Sequence, residues 1–235
     1  MDKVTVVTVA RNACDALRKT MASVMSQTYA DLEYIIVDGA SSDGTLELLE
    51  HAKDIRWISE PDKGIYDAMN KGVAMSTGQW IIFMNAGDTF ASDDALEKVF
   101  SNRACKQADV IYGDVVKRGH VCVAPDEAVD GHRMFFCHQS CLARAVRLIE
   151  TPFDISHPLS ADFKWVKTMI KQGRRFLHVD VPIAVFDTDG ISNTARSRGL
   201  ADNIKVVNEL ESPLRRFRLL PHLVVPYIMC RIRGK

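Results

Sequence analysis

The chain has 235 residues, 47% of them hydrophobic and 26% charged, with thirty basic and thirty acidic side chains that cancel. That length serves one large core, or one core with an appendage, and the composition excludes disorder. Zero net charge excludes a protein whose whole surface grips nucleic acid.

The first element predicted is a strand over residues 4–9, a β-branched run suited to the centre of a sheet. A helix follows from Asn12, read as its N-cap, with Leu17, Met21, Val24 and Met25 at helical spacing as far as Ser26. A second strand over 34–37 runs into Asp38-Gly39-Ala40-Ser41-Ser42-Asp43-Gly44-Thr45, a loop of small and oxygen-bearing residues. Thr45 opens another helix, and residues 55–58 form a third strand. Residues 60–88 come next: Glu60-Pro61-Asp62-Lys63-Gly64-Ile65-Tyr66-Asp67-Ala68-Met69-Asn70-Lys71-Gly72, then the apolar strand Trp80-Ile81-Ile82-Phe83-Met84, then Asn85-Ala86-Gly87-Asp88. Strand and helix alternate three times before Asp88, which predicts a parallel, doubly wound α/β sheet. Ligands of such sheets lie beyond the carboxyl ends of the strands, where Asp38 and Asp88 fall, and a carboxylate there can hold a hard cation.

The second half is less regular. Residues 109–116 and 120–123 read as two strands joined around Lys117-Arg118-Gly119, and a loop-rich region extends to about Pro158. A helix is predicted over 161–171, closed by Gln172-Gly173, then a strand over 176–185, a turn at Asp187-Thr188-Asp189-Gly190 and a polar helix over 196–210. No acid follows Glu211, while Arg215, Arg216, Arg218, Arg231, Arg233 and Lys235 interleave with apolar residues. Residues 212–235 are therefore a basic amphipathic segment, too short and too interrupted by Pro221 and Pro226 to span a bilayer. It either packs on the domain or lies on an anionic membrane surface. The six cysteines form no CxxC pair and no zinc spacing, so free thiols in a reducing compartment are expected, with Cys137 and Cys141 four apart as on a helix face. Met1 leads straight into a strand pattern, and no signal peptide or membrane span is expected.

Four segments in this order carry a resemblance: Thr8-Val9-Ala10-Arg11-Asn12, residues 37–45, residues 60–72 and Asn85-Ala86-Gly87-Asp88. With weaker echoes at His138-Gln139, Ser160-Ala161-Asp162 and Gly190-Ile191-Ser192, the chain resembles the family 2 glycosyltransferases, and most of all the bacterial members that build capsule, exopolysaccharide or O-antigen chains. The resemblance implies a GT-A fold, a Rossmann-like, mixed but mainly parallel sheet with helices on both faces. It implies residues 1–211 as that domain, with 1–115 binding the nucleotide sugar and 116–211 the acceptor. The implied activity is inverting transfer of a sugar from a nucleotide diphosphate donor, taken as a UDP-sugar, to a hydroxyl of a glycan or lipid-linked glycan. The implied location is the cytoplasm, free or peripheral on the inner face of the plasma membrane.

The resemblance also assigns roles. Asp88 is the ligand of Mn²⁺ or Mg²⁺, which as a Lewis acid stabilises the departing diphosphate. Asn85 stands where the family usually has a first acid, and is counted with the donor contacts Thr8, Ala10, Asp38, Asp62, Lys63 and Asn70. Asp162 is the general base, with His138 and Asp114 as fallbacks. Each assignment has a plainer counterpart in the residues themselves: Asp38 as a turn cap, Lys63 as a solvated cation, Asp162 as a first-turn acid on the helix dipole. Asp43 is expected to be structural, and Tyr66 and Met69 to be core. Two other functions compete: an inactive sugar-nucleotide-binding partner subunit, motivated by Asn85, and a receiver-like signalling domain, which expects a shorter chain and an acidic pair on the first strand where this chain has Thr8 to Asn12.

Overall fold

The computed structural model describes residues 2–187 and 196–233. The β-branched run forms β1 (Val4–Ala10), buried at every residue, as a strand covered on both faces must be. It lies in a parallel set ordered β3-β2-β1-β4, made with β2 (Leu32–Asp38), β3 (Arg56–Ser59) and β4 (Trp80–Phe83). The crossovers are α1 (Cys14–Met25), α2 (Thr45–Glu50) and α3 (Ile65–Met75). Period-2 alternation in β1 sends Val4 and Val6 toward Leu17, Met21 and Val24 of α1, and Val7 and Val9 toward Tyr66, Met69 and Val73 of α3, so helices cover both faces. Gly72 rests on Val7 where any Cβ would collide, which lets α3 settle against β1.

The sheet continues through strands of the second half. After β5 (Thr89–Phe90) and α4 (Ala95–Ser101) come β6 (Val110–Lys117), β7 (His120–Cys122), β8 (Cys141–Arg144), α5 (Ala145–Glu150), α6 (Ala161–Lys171) and β9 (Phe176–Phe186). The order from β4 is β8-β6-β9-β5, with β7 on β6. β8 is antiparallel to both β4 and β6, β9 is parallel to β6, and β5 is antiparallel to β9, so the sheet is mixed. The β6–β7 hairpin turns through Arg118 (φ 50°) and Gly119 (φ 77°), the two left-handed residues that a tight hairpin turn needs.

Three expectations are corrected. Asn12 is not the N-cap of α1: it adopts φ 50° and its Oδ1 accepts the Ser42 N–H at 2.9 Å, while α1 starts at Cys14, whose N–H donates to Asp43 Oδ2 at 3.0 Å. Asp43 also takes the Thr45 hydroxyl (2.6 Å) and N–H (3.2 Å), so this one carboxylate serves two helix starts and is structural as expected. The region up to Pro158 is not mainly loop. It holds the 3-10 turn His138–Ser140, β8 and α5, because the short apolar run from Cys141 finds open edges on β4 and β6. Cys141 therefore begins a strand and shares no helix face with Cys137. Of the turn predicted at 187–190, residues 188–190 lie outside the described residues, as do 191–192 and Lys235.

The C-terminal part is α7 (Arg196–Leu210), α8 (Pro213–Leu219) and α9 (Pro221–Ile232). Leu219 and Leu223 bury against Val206 and Val207 of α7 and Phe163 of α6. The fully buried Glu211 carboxylate holds this junction, meeting Lys167 at 2.6 Å and Lys171 and Arg215 at 2.9 Å. Burial alone would push Glu211 up, but the two lysines hold it below the usual glutamate range. Its stabilisation is present above that range and lost as pH falls through the lowered native value. Glu211→Ala leaves Lys167 short of a buried partner and is expected to cost about 3 kcal/mol at pH 7. The melting temperature should fall on the order of 10 °C, and by less near pH 3. An equal fall at both pH values would show that charge is not the cause.

Candidate active site

The parallel strands β1 to β4 deliver their carboxyl ends to one edge. Ala10 ends β1 in register with Asp38 at the end of β2, and its carbonyl accepts the Gly39 N–H at 2.8 Å. Asp62 reaches the same corner: one oxygen takes the Gly64 N–H at 2.8 Å at the start of α3, and the other presses on Gly39. Lys63 is exposed beside it, with its backbone N–H on Asp67 at 2.9 Å and no bond to its ammonium among the described residues.

Other predicted donor contacts are spent on structure. Thr8 is buried, its hydroxyl donating to the Met84 carbonyl at 2.7 Å and accepting the Tyr34 hydroxyl at 3.0 Å. It locks β1 to β4 from inside the core. The Asn70 amide donates to the Phe153 carbonyl at 2.9 Å and accepts the Phe153 N–H at 3.0 Å, which fastens α3 to the loop ahead of α6. Asp38 is buried, with its carboxylate accepting the Ser41 hydroxyl, the Ser41 N–H (2.9 Å) and the Ser59 hydroxyl (2.6 Å). It shapes the 39–45 loop and ties β2 to β3. Asp38→Ala is therefore expected to cost about 3 kcal/mol of stability, since three donors lose a charged acceptor. Scanning fluorimetry reads this as a lower melting temperature; an unchanged value with weakened nucleotide affinity would return Asp38 to direct donor contact.

Past β4 the chain folds into a tight turn, with the Asp88 N–H on the Asn85 carbonyl at 2.9 Å. Thr20 of α1 pins that turn, its hydroxyl donating to the Asp88 carbonyl (2.7 Å) and accepting the Gly87 N–H (2.9 Å). The Asp88 carboxyl is buried and accepts the Asp187 N–H at 2.8 Å. Asp187 lies over Gly87 so closely that a Cβ there would sit 2.5 Å from its Oδ2. Burial first, and then the Asp187 charge, push Asp88 up to about 7, although Gln139 bonds its side chain. Asn85 Oδ1 is buried in the same turn without a hydrogen-bond partner among the described residues. Two neighbouring carboxylates and an unpartnered amide oxygen are a donor set that suits a hard divalent cation and an additional hydroxyl ligand.

Asp162 sits in the first turn of α6, where it accepts the Tyr66 hydroxyl at 2.7 Å and the Phe163 N–H at 2.8 Å. Phe83, His138, Phe153 and Trp165 line the hollow beside it. Tyr66 is core, as expected, but also more than core: burial and then the Asp162 charge raise its phenol well above its ordinary value, so it stays a donor to Asp162. Burial lowers His138, which keeps its imidazole neutral against the partial offset from Asp162. Asp114 accepts the Ala124 N–H at 2.9 Å and lies 3.6 Å from His178, a structural setting on β6.

One short turn joins the two acids. Gln139 bonds Asp88, His138 lines the hollow of Asp162, and the Cys137 thiol is pushed up to about 11 by burial with both Asp88 and Asp162 adding to the shift. A second acidic group, Asp154, His157 and Glu209, has spacing that could hold a metal. There the Lys164 ammonium already stands in a cation's place, 2.6 Å from Asp154, 2.5 Å from Glu209 and 3.2 Å from His157. Sequence reasoning gave no role to Thr20, Gln139 or Asp187; Gln139 lies in a motif echo and Asp187 is an acid directly after a strand, whereas Thr20 carries no signal.

Residues 5–127 match the family model described as Glycosyl transferase family 2. A PGL/p-HBAD biosynthesis glycosyltransferase of Mycobacterium bovis (strain BCG / Pasteur 1173P2) is 31% identical over 198 residues, which are 78% of this chain and 76% of the relative. Glycosyltransferase GlyA of Streptococcus pneumoniae is 27% identical over 117 residues, 48% of this chain and 17% of that one. Among solved structures, the mannosyltransferase PcManGT from Pyrobaculum calidifontis, in complex with GDP-Man and Mn²⁺, superposes with a TM-score of 0.72 at 17% identity, over 94% of this chain and 68% of that one. S. aureus TarS 1–349 in complex with UDP gives 0.67 at 12%, over 94% and 70%. These two likenesses establish the GT-A fold.

Proposed function

Because the chain belongs to glycosyl transferase family 2, and so is a transferase enzyme, we propose that it moves a sugar with inversion from a nucleotide diphosphate sugar to a hydroxyl of a glycan or lipid-linked glycan. The process it serves in this reading is bacterial surface polysaccharide or glycolipid synthesis, on the cytoplasmic side of the plasma membrane. The observation that supports the reading is the contact of the 137–139 turn with both Asp88 and Asp162, which in this reading would be the cation-binding acid and the base on either side of that turn.

In this reading Asp162 accepts the proton of the acceptor hydroxyl as its oxygen attacks the anomeric carbon, while the bond from that carbon to the diphosphate breaks. Inversion needs only this one base, on the face opposite the leaving group. The Tyr66 hydroxyl and the Phe163 N–H aim the carboxylate. Asp88 and Asp187 would hold Mn²⁺ or Mg²⁺, which supplies Lewis acidity toward the departing diphosphate. Lys63 and the amides of the 62–64 corner offer charge and donors to phosphate, Ala10 and Asp62 border the nucleotide, and Asn85 Oδ1 accepts a ribose or sugar hydroxyl. Asp38 and Asn70 support this edge through the loops they fasten.

The test is nucleoside diphosphate release from UDP- and GDP-sugars with Mn²⁺ and an extract of lipid-linked glycans, with the product's anomeric configuration read by NMR. Release that depends on acceptor, with inverted product, is expected. A retained configuration, or binding without turnover across donors, would overturn the reading.

A further inference from the structure

The sequence leaves the last 24 residues between packing and membrane binding, and the structure divides them by face. Leu219, Leu223 and Cys230 are buried inward. Val225, Ile228, Met229 and Ile232 form an exposed stripe at helical spacing along α9, and Leu214 and Phe217 on α8 are more than four-fifths exposed. The arginines divide as well. Arg215 pairs with Glu211 and Asp130, and Arg216 bonds the Glu211 carbonyl at 2.7 Å, so both staple the segment to the domain. The side chains of Arg218, Arg231 and Arg233 have no hydrogen bond or ion pair among the described residues, and no acid follows Glu211.

We propose that the outer face of α8 and α9 docks on an anionic lipid surface. Three uncompensated guanidinium groups flanking exposed aliphatic and aromatic side chains match lipid phosphates above acyl chains. A second copy of this chain fits less well, because a two-fold interface would set the same arginines against one another. A helix of 12 residues is about 18 Å long, well under the roughly 30 Å of a bilayer core, so it lies in the interface plane. Docking also places the reaction. Phe163, next to the base Asp162, is buried with Leu219 and Leu223, so the start of α6 bears the base on one side and the docked helices on the other. This deepens the reading of a lipid-linked acceptor, yet it is tested by lipid binding alone, so either can fail without the other.

The experiment is co-sedimentation of the full chain with vesicles of phosphatidylglycerol and phosphatidylcholine, about one part in three anionic, against phosphatidylcholine alone. Binding to the anionic vesicles is expected, weakened by raised salt. Changing Arg218, Arg231 and Arg233 together to Gln should reduce partitioning about a hundredfold at low salt. Phe217→Ser and Ile232→Ser should each reduce it on the order of tenfold at unchanged melting temperature. Equal binding to neutral vesicles, or full binding by the arginine variant, would overturn the proposal. So would a wild-type dimer in light scattering that Ile232→Ser dissociates, since that outcome assigns the face to a second copy.

Discussion

Asp162→Asn is expected to lower turnover by about 10²- to 10⁴-fold while leaving nucleoside diphosphate affinity unchanged. The substitution keeps side-chain size and an oxygen able to accept the Tyr66 hydroxyl and the Phe163 N–H, so α6 and the loop at Phe153 stay in place. Only the capacity to take a proton is lost. Tyr66→Phe should act through the same carboxylate: its ring still packs on Phe153 at 5.4 Å, but Asp162 loses a donor that orients it. A fall in kcat of about tenfold with an unchanged donor KM is expected, and no further fall when it is combined with Asp162→Asn, because the two residues work as a unit. Initial rates and nucleotide titrations on the four proteins decide it. If Asp162→Asn turns over normally, the base lies elsewhere, and neutral His138 in the same hollow is the next position to replace.

What the sequence made legible follows its periodicities. The β1 run and the apolar strand before Asn85 announced a parallel sheet because covered strands need continuous β-branched or apolar stretches, and α6 matched its prediction because Ser160, Gly173 and the spacing between them mark its ends. Elements without such marks stayed hidden. β8 is four residues long and exists through its pairing with β4 and β6, a long-range fact that no local pattern encodes. The site divides in the same way. Asp88 and Asp162 were visible at the ends of recognisable elements, whereas Thr20, Gln139 and Asp187 join the site from three distant parts of the chain. Thr8 and Asn70 show the converse: motif membership drew attention to them, yet their polar atoms satisfy the core and a loop. A motif can persist for the architecture that a site requires as well as for contact with the ligand.

Asp88→Asn is expected to lower metal-dependent turnover on the order of 10³-fold or more and to remove the Mn²⁺-dependent part of nucleoside diphosphate binding, since Lewis-acid stabilisation of a leaving diphosphate has no substitute nearby. The variant also carries a signature independent of activity. In the metal-free protein, burial and the Asp187 charge raise Asp88 from the ordinary carboxylate range to about 7. A carboxyl whose native value is raised binds its proton more tightly when folded, so its contribution to stability falls as pH rises from about 4 through 7. Wild-type protein freed of metal should therefore lose melting temperature through this group across that window. Asp88→Asn, with no charge to bury, should lose less and be at least as stable at pH 8. Mn²⁺ added at pH 8 offsets the repulsion between Asp88 and Asp187, so it should raise the wild-type melting temperature and leave that of the variant nearly unchanged. Asp187→Asn tests the partner: Mn²⁺ stabilisation should weaken and Asp88 should titrate at lower pH, since one like charge is gone. An Asp88→Asn protein that keeps wild-type Mn²⁺ stabilisation and turnover would move the cation away from the end of β4, and the pairing of Asp88 with Asp187 would then be a structural feature alone.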